Sequence, residues 1–240
     1  MTSSDEDVIR ETVTLETTGD VAIIRIDDGK ANALGHETMD AINAALDDAS
    51  DAKAVVLFGR EGKFSAGFDL AVMKDGPEAA QAMVHKGAEL CMRLYGLPQP
   101  VLAGSDGHAL AAGALVLLSC DIRIASDTKG RIGLPETTIG MPLPVFAVEL
   151  ARDRLSRRHF TAATLLGSTY SPAEALDVGY FDRVVPATEL ESTVMEMATA
   201  HAEALSPTGF AKTRKNVRQA TIDHVMATLE ADMAEFGVEG

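Results

Sequence analysis

The sequence predicts an α/β protein in which short strands and helices alternate along most of the chain. Runs of apolar and β-branched residues that are typical of buried strands occur at Ala54–Phe58 and Val101–Ser105, and segments of helical spacing lie between such runs. With 240 residues, 46% of them hydrophobic, the chain is long enough for one domain with a large core, or for such a domain with a helical appendage. The alternation favours an α/β fold, although periodicity alone does not specify its topology.

The predicted elements follow one another in order. Two strands, 8–15 and Val21–Ile26, flank the turn Thr18-Gly19-Asp20, and helical spacing runs from 41 to 49. Apolar runs predict the next strands at Ala54–Phe58, Val101–Ser105, 122–125 and 131–134. Helices are predicted between them at 78–95 and 112–120.

The C-terminal part of the sequence is predicted to be helical. Ser171-Pro172-Ala173-Glu174 combines a cap, a proline at the first helical position and an acid three residues after the cap, and Gly179 ends that helix. From Thr188 onward, helical segments are broken by Ser206-Pro207-Thr208-Gly209, and no strand pattern is visible. We therefore place a domain with the functional residues at 1–187 and a helical region at 188–240.

Composition excludes several classes of function. The net charge of −15 argues against nonspecific binding to nucleic acid or to anionic membranes. The longest apolar stretch, 109–118, is far shorter than the roughly 20 residues that cross a bilayer, and the acidic start has no signal-peptide character. Cys91 and Cys120 form neither a disulfide framework nor a metal-ligand pattern. We expect a cytoplasmic protein without a metal, nucleic-acid partner or membrane partner.

One carboxylate lies in an otherwise apolar or hydroxyl-bearing loop, Gly133-Leu134-Pro135-Glu136-Thr137-Thr138-Ile139-Gly140. Burial disfavours the charged form of a carboxylic acid and raises its pKa toward neutrality, as a group that takes and returns a proton requires. Glu136 is therefore a candidate acid/base, whereas an arbitrary loop glutamate is usually a solvated residue or a helix cap.

Two small-residue segments are candidates for binding an anion through backbone amides. One is Lys63-Phe64-Ser65-Ala66-Gly67-Phe68-Asp69-Leu70, and the other runs from Gly107 to Leu115. Small side chains let a ligand approach the main chain, and amides in the first turn of a helix have no internal partner. Two such amides directed at one oxygen would form an oxyanion hole.

These segments, in this order, resemble the crotonase superfamily, the enoyl-CoA hydratase/isomerase family. The landmarks that carry the resemblance are Gly29-Lys30-Ala31-Asn32-Ala33-Leu34, Phe64 to Leu70, Gly107-His108-Ala109-Leu110 through Cys120 to Ala125, Gly133-Leu134-Pro135-Glu136 with Ile139-Gly140-Met141, and Ser171 to Leu176 with Gly179 and Val184-Val185-Pro186. The resemblance implies a right-handed spiral of strand-strand-helix repeats, followed by a C-terminal helical region that builds trimers or dimers of trimers.

The resemblance also assigns roles to individual residues. The amides of Ala66 and Ala112 would be the oxyanion donors, with Gly113 as the nearest competitor of Ala112, and Glu136 would be a catalytic acid. Substrate contacts are expected from Lys30, Ala31, Ala33, Ser65, Gly67, Phe68, Asp69, Leu70, Gly113 and Leu115. Further candidates for the acyl channel are Met73 and Phe146, and basic candidates for coenzyme A are Arg60, Lys63 and the cluster Lys212, Arg214, Lys215 and Arg218. A solvated helix face explains each of the last four equally well.

Leu115 decides between the reactions that the resemblance offers. Hydratases of the family carry a second glutamate at this position, and leucine can neither orient nor deprotonate water. Moving a double bond from position 3 to position 2 of an acyl-CoA needs one base, so we expect an isomerase of fatty acid metabolism in which coenzyme A enters only as part of the substrate and no separate cofactor is needed. The alternatives are hydration or another crotonase-type reaction with an acid from elsewhere, and a noncatalytic acyl-CoA binder.

Overall fold

The computed structural model describes residues 12–236. The strands are, in chain order, β1 (Val13–Thr18), β2 (Val21–Ile26), β3 (Ala33–Leu34), β4 (Ala54–Phe58), β5 (Lys63–Ser65), β6 (Gly67–Phe68), β7 (Val101–Ser105), β8 (His108–Leu110), β9 (Ile122–Ser126), β10 (Ile132–Gly133), β11 (Thr169–Tyr170) and β12 (Arg183–Val185). The helices are α1 (His36–Asp48), α2 (Leu70–Met73), α3 (Pro77–Gly96), α4 (Ala112–Ser119), α5 (Val145–Arg154), α6 (Phe160–Ala163), α7 (Pro172–Val178), α8 (Leu190–Ala204) and α9 (Pro207–Glu235). Short 3-10 helices span Glu136–Ile139 and Ala187–Glu189.

The strands form two larger sheets that share the same repeating chain path. One sheet has the order β1-β2-β4-β7-β9-β12, and the other has the order β11-β10-β8-β5. Each repeat places one strand in the first sheet, the next in the second, and then a helix, as in β4-β5-α3 and β7-β8-α4. Neighbouring strands from successive repeats are parallel in both sheets. This arrangement is the expected spiral of strand-strand-helix repeats.

The six-stranded sheet is buried on both faces, which explains why its central strands are apolar along their whole length. Every residue of β4 and β7 is buried. Residues of β4 that alternate along the strand belong to two different clusters: Val55 and Leu57 join the core beneath α3 and α4, while Val56 and Phe58 pack with α8. The boundary predicted at 187 falls in the 3-10 helix Ala187–Glu189, and α8 and α9 both pack against the preceding part of the chain.

Most sequence-predicted elements are confirmed. The strands predicted at Val21–Ile26, Ala54–Phe58 and Val101–Ser105 have the expected bounds. The strand predicted at 8–15 begins outside the described residues, and its described part, β1, continues to Thr18 because it pairs with all six residues of β2. The helix predicted at 41–49 begins five residues earlier, at His36, where Met39 supplies a further buried side chain.

The helix signals at α7 and α2 are also confirmed. Ser171 and Glu174 form a reciprocal capping box, and Gly179 follows α7 in the left-handed conformation with φ 103°. Asp69 caps α2 by accepting a hydrogen bond from the Ala71 amide at 2.8 Å.

Two arginines of α9 correct the prediction of a C-terminal basic cluster. Arg214 and Arg218 are buried and both form ion pairs with Asp121, which lies between α4 and β9. Arg218 also donates to the Tyr95 carbonyl oxygen at 2.9 Å. These guanidinium groups therefore attach α9 to the core, and neither the coenzyme A role nor the solvated-face alternative applies to them, whereas Lys212 and Lys215 are exposed.

Candidate active site

Glu136 begins a short 3-10 turn directly after β10. The turn ends at Gly140, whose positive φ of 80° is a left-handed conformation that suits glycine, and the Met141 amide donates to the Glu136 carbonyl oxygen at 3.0 Å. Thr138 closes the turn, since its hydroxyl donates to the Pro135 carbonyl oxygen at 2.6 Å. The chain therefore folds back on itself at Glu136 and fixes the position of its backbone.

The Glu136 carboxyl group is buried in apolar surroundings. The residue is 8% exposed, and its Oε2 atom has no hydrogen-bond partner among residues 12–236. Burial raises the pKa of Glu136 from 4.5 to about 7, against a smaller opposing effect of a hydrogen bond to its own backbone. A carboxyl group with this pKa exchanges a proton readily near neutral pH, as an acid/base requires.

Glu136 faces a cavity of about 170 Å³ that is otherwise apolar. Its lining comes from both small-residue turns, from the Glu136 turn and from helices, and consists of Ala66, Phe68, Leu70, Met73, Val84, Ala111, Leu115, Glu136, Ile139, Met141, Pro142, Pro144, Phe146 and Phe236. The four predicted channel residues Phe68, Leu70, Met73 and Phe146 all line it. Within the described part of the chain, Glu136 is the one titratable side chain in this lining.

The second small-residue turn presents the N-terminus of α4 to this cavity. Ala111 precedes the helix with φ 50° and ψ −127°, a backbone conformation that residues other than glycine rarely adopt. Its amide donates to the Gly133 carbonyl oxygen at 3.0 Å, which ties the turn to the strand before Glu136. Ala112 is the first helical residue, so its amide has no acceptor within the helix.

Gly113 and Leu115 have structural reasons for their identity. A side chain at Gly113 would meet the Ser65 carbonyl oxygen at 2.5 Å, so glycine lets α4 pack onto the first turn. Leu115 is 2% exposed and lies three residues after Ala112, on the same face of α4, where it contributes an apolar wall to the cavity.

The first small-residue turn corrects one predicted donor. The Ala66 amide donates to the Ala31 carbonyl oxygen at 3.0 Å, and the Gly67 amide donates to Ser65 Oγ at 3.1 Å. The prediction of Ala66 as an oxyanion donor is therefore wrong for this geometry, because its N–H is already used inside the fold. Ser65 Oγ in turn donates to the Asn32 carbonyl oxygen at 2.7 Å, which anchors the turn.

The Phe68 amide is the other candidate oxyanion donor in the first small-residue turn. β6 pairs in parallel with β3, and Leu34 is opposite Phe68 in that ladder, with the Asp69 amide donating to the Leu34 carbonyl oxygen at 3.4 Å. In a parallel ladder, one residue of each facing pair hydrogen-bonds to the two chain neighbours of the residue opposite it. The backbone N–H and C=O of that opposite residue then point away from the partner strand. The Phe68 N–H therefore points away from β3. The two turns are in contact, since a Cβ at Gly67 would lie 3.4 Å from the Ala112 nitrogen.

The segment before β3 forms a rigid loop beside the first turn. The Asp28 carboxylate accepts hydrogen bonds from the amides of Lys30, Asn32 and Ala33, which hold its pKa below the ordinary value against the effect of burial. Lys30 is exposed, and its carbonyl oxygen accepts from Arg60 at 2.8 Å and from Lys63 at 3.1 Å. The three predicted basic residues of this region therefore lie together.

Sequence reasoning missed several residues of the cavity. Met141, Pro142 and Pro144 follow the Glu136 turn, and Phe236 comes from the end of α9. The position of Asp232 explains how α9 reaches the site, since its carboxylate accepts from the Val145 amide at 2.7 Å. The proline-rich stretch after Gly140 could have indicated a wall beside the loop, but no local signal links the site with residue 236.

No cluster of three or more His, Cys, Asp or Glu side chains within residues 12–236 could hold a metal ion. In the same range, no helix has the length and apolar character to cross a membrane.

A lone buried carboxylate lines an apolar cavity to which both small-residue turns contribute, an arrangement that suits proton transfer. Comparisons with known proteins agree with this class. The family model described as "Enoyl-CoA hydratase/isomerase" matches residues 16–238, and the chain therefore belongs to the enoyl-CoA hydratase/isomerase family.

The relatives include proteins that are named for each of the two activities in the family's description. The chain is 32% identical over 232 residues to mouse "Enoyl-CoA delta isomerase 1, mitochondrial", covering 93% of this chain and 80% of the relative. It is 35% identical over 198 residues to "Short-chain-enoyl-CoA hydratase" of Clostridium acetobutylicum, covering 78% and 73%. The crystal structure of human mitochondrial delta3-delta2-enoyl-CoA isomerase matches with a TM-score of 0.89 and 30% identity over 94% of this chain and 90% of that chain. The chain thus has the crotonase fold, which relatives named for either activity share.

Proposed function

We propose that this protein is an enoyl-CoA isomerase that converts a 3-enoyl-CoA into the conjugated 2-enoyl-CoA, with Glu136 as its single acid/base. The observation that carries the proposal is the cavity lining, in which Glu136 is the one titratable side chain among the described residues. Leu115 lies where the family resemblance puts the second acid of hydratases, and it is buried and apolar. One carboxylate is sufficient for isomerisation, whereas hydration divides its proton transfers between two.

The proposed reaction moves one proton and conserves all atoms. The ionised Glu136 carboxylate removes a proton from C2 of the acyl chain, and the electron pair of that C–H bond shifts into the thioester group, whose oxygen becomes an enolate oxygen. The protonated carboxyl group then donates its proton to C4, while the double bond moves from C3–C4 to C2–C3. The carboxylate is regenerated and no electrons enter or leave. A pKa of about 7 lets the same group perform both transfers near neutral pH.

We assign the oxyanion donors to the Phe68 and Ala112 amides. Phe68 replaces Ala66 in this role because the Ala66 N–H is bonded to Ala31, while the Phe68 N–H points away from β3. Ala112 adds an amide at the N-terminus of α4, where the helix also favours negative charge. A donor of this kind typically contributes about 3 kcal/mol to the stability of the transition state.

The remaining predicted contacts divide between the acyl chain and coenzyme A. We propose that Phe68, Leu70 and Leu115 contact the acyl chain, because they line the cavity. The ring of Phe68 packs where α3 carries Gly87, since a Cβ at Gly87 would lie 2.3 Å from that ring. Lys30, Ala31 and Ala33 form the loop that we assign to coenzyme A, with Arg60 and Lys63 beside it.

Ser65, Gly67, Asp69 and Gly113 support the site from within the fold. Ser65 anchors the first turn to Asn32, and Gly67 allows the close approach of Ala112. Asp69 caps α2, and Gly113 lets α4 pack on the first turn. We therefore interpret their predicted place at the substrate as a role in shaping the two turns.

Two assays distinguish isomerisation from hydration. Purified protein is given a 3-enoyl-CoA and, separately, a 2-enoyl-CoA, and the absorbance of the conjugated thioester is followed. The proposal expects conjugation to form from the first substrate and to persist in the second. Loss of conjugation from the second substrate would favour the hydratase alternative, which the Clostridium relative represents. No change in absorbance with either substrate would contradict the proposal and favour another acyl-CoA reaction or the noncatalytic binder.

Assembly and location remain predictions. We propose a homotrimer or a dimer of trimers built by the C-terminal region 188–240, which light scattering on the full chain would test. We also propose a cytoplasmic location, which fluorescence microscopy of a tagged protein would test.

A further inference from the structure

Two tyrosines lie behind the Glu136 turn, outside the cavity lining. Pro135, Thr137 and Thr138 pack against Gly167, where a Cβ would lie 2.6 Å from the Thr138 side chain and 2.9 Å from that of Thr137. β10 and β11 are antiparallel, with Ile132 opposite Tyr170. The segment that ends in Tyr170 therefore supports the turn that carries the proposed acid/base.

Tyr180 is fixed next to Tyr170 by the end of α7. The Tyr180 amide donates to the Ala175 carbonyl oxygen at 2.9 Å and the Gly179 amide to that of Leu176 at 3.2 Å, the bond pattern of a Schellman motif. This backbone anchor places a fully buried ring beside that of Tyr170, with the centroids 6.2 Å apart and the planes inclined by 40°.

Three oxygen atoms in this region are buried without a protein partner among residues 12–236. They are the hydroxyl oxygens of Tyr170 and Tyr180 and Oε2 of Glu136. Buried polar groups are nearly always hydrogen-bonded, to protein or to ordered water, because leaving them unpaired is costly. One water shared by the three oxygens would satisfy them together, with the two phenols as donors and the carboxylate as an acceptor.

Electrostatics give the direction of the hydrogen bonds through this shared water. Burial raises the pKa of Tyr180, and the charges of Tyr170 and Glu136 raise it further, so its phenol stays protonated wherever Glu136 titrates. A protonated phenol donates and an ionised carboxylate accepts. Tyr170 and Glu136 are the titratable groups that act on Tyr180 here.

We propose that Tyr180, supported by Tyr170, is a positioning residue whose hydroxyl holds the Glu136 carboxylate, through one shared water, in the orientation for proton transfer. This inference rests on the proposed role of Glu136. The tyrosines do not touch the substrate, since the cavity lining does not include them. Their effect is on the angle at which the carboxylate meets the acyl chain and on the balance between its two protonation states.

The test compares Tyr180→Phe with the unchanged protein in the pH dependence of kcat/KM, which reports ionisation of the free enzyme. Losing a donor to the carboxylate raises the pKa of Glu136, so the acid limb moves to higher pH. We expect about one pH unit, because a charge-assisted bond discriminates between the two protonation states about tenfold. KM should stay nearly constant while kcat falls. A purely structural defect would not lower kcat selectively.

Control variants make the outcome decisive. Tyr170→Phe should move the limb in the same direction, and it serves as the second test if Tyr180→Phe fails to fold. Tyr95→Phe removes the one other tyrosine hydroxyl, which donates to Asp153 at 2.8 Å away from the cavity, and should leave the limb unchanged. An unshifted limb in both Tyr180→Phe and Tyr170→Phe would overturn the inference while leaving the isomerase intact. Full activity of Glu136→Gln would instead overturn the proposed function itself.

Discussion

Replacing Glu136 by glutamine should stabilise the fold, and increasingly so as the pH rises. The carboxyl group has an ordinary pKa of 4.5 in an unfolded chain and a pKa of about 7 in the folded protein, because burial disfavours its charged form. Below pH 4.5 the group is protonated in both states. As the pH rises toward 7 the unfolded state loses the proton first, so stability falls until the folded state is also ionised.

The pKa values give the size of the effect. A difference between 4.5 and about 7 corresponds to about 3 kcal/mol of folding free energy, fully lost above pH 7. About 2 kcal/mol of this loss falls between pH 5.5 and 8.5, a range well above the sequence pI of 4.7. Water reduces this free-energy difference little, because the Glu136 side chain is nearly inaccessible to solvent. Glutamine has a similar shape and does not titrate, so the variant escapes this penalty.

Urea unfolding at the two pH values measures the effect, at one fixed protein concentration because the chain is expected to assemble. The advantage of Glu136→Gln over the unchanged protein should be about 2 kcal/mol greater at pH 8.5 than at pH 5.5. Glu203→Gln is the matched control, since Glu203 is exposed on α8, and its difference should stay constant. An advantage of Glu136→Gln that does not grow with pH would refute the buried, proton-binding carboxyl group described above.

Three further substitutions test other parts of the structure. Ala111→Gly should raise the free energy of unfolding by about 1 kcal/mol, because φ 50° strains alanine and suits glycine, and a lower stability in urea would contradict that strain. Asp121→Asn should cost about 3 to 5 kcal/mol in the same measurement, since it leaves two buried arginines of α9 unpaired, whereas a cost under about 1 kcal/mol would show other partners. Ser65→Ala should lower kcat about tenfold by releasing the first turn from Asn32 and from the Gly67 amide, and an unchanged steady-state kcat would count against that anchor.

Local chemistry explains what the sequence predicted well. β4 and β7 were predictable because parallel strands buried on both faces are continuous apolar runs. The ends of α7 were predictable because a capping box and a C-terminal glycine act within a few residues. Glu136 was recognisable because a lone acid in an apolar loop is unusual, and its burial agrees with that interpretation.

The features that sequence missed depend on contacts between distant segments. The proposed preference for the Phe68 amide over the Ala66 amide rests on pairing with β3 and with Ala31 just before it, about 35 residues earlier in the chain. Arg214 has the local pattern of a solvated helix residue, and its burial depends on Asp121, 93 residues away. The approach of Phe236 to the cavity likewise depends on how α9 packs.

If Glu136 is the one group that moves the proton, Glu136→Gln should convert a 3-enoyl-CoA about 100-fold to 10 000-fold more slowly than the unchanged protein, with acyl-CoA binding retained and Glu203→Gln fully active. Measuring these rates side by side is the sharpest test of the single-carboxylate mechanism. Conversion by Glu136→Gln within about tenfold of the unchanged protein would show that another group moves the proton.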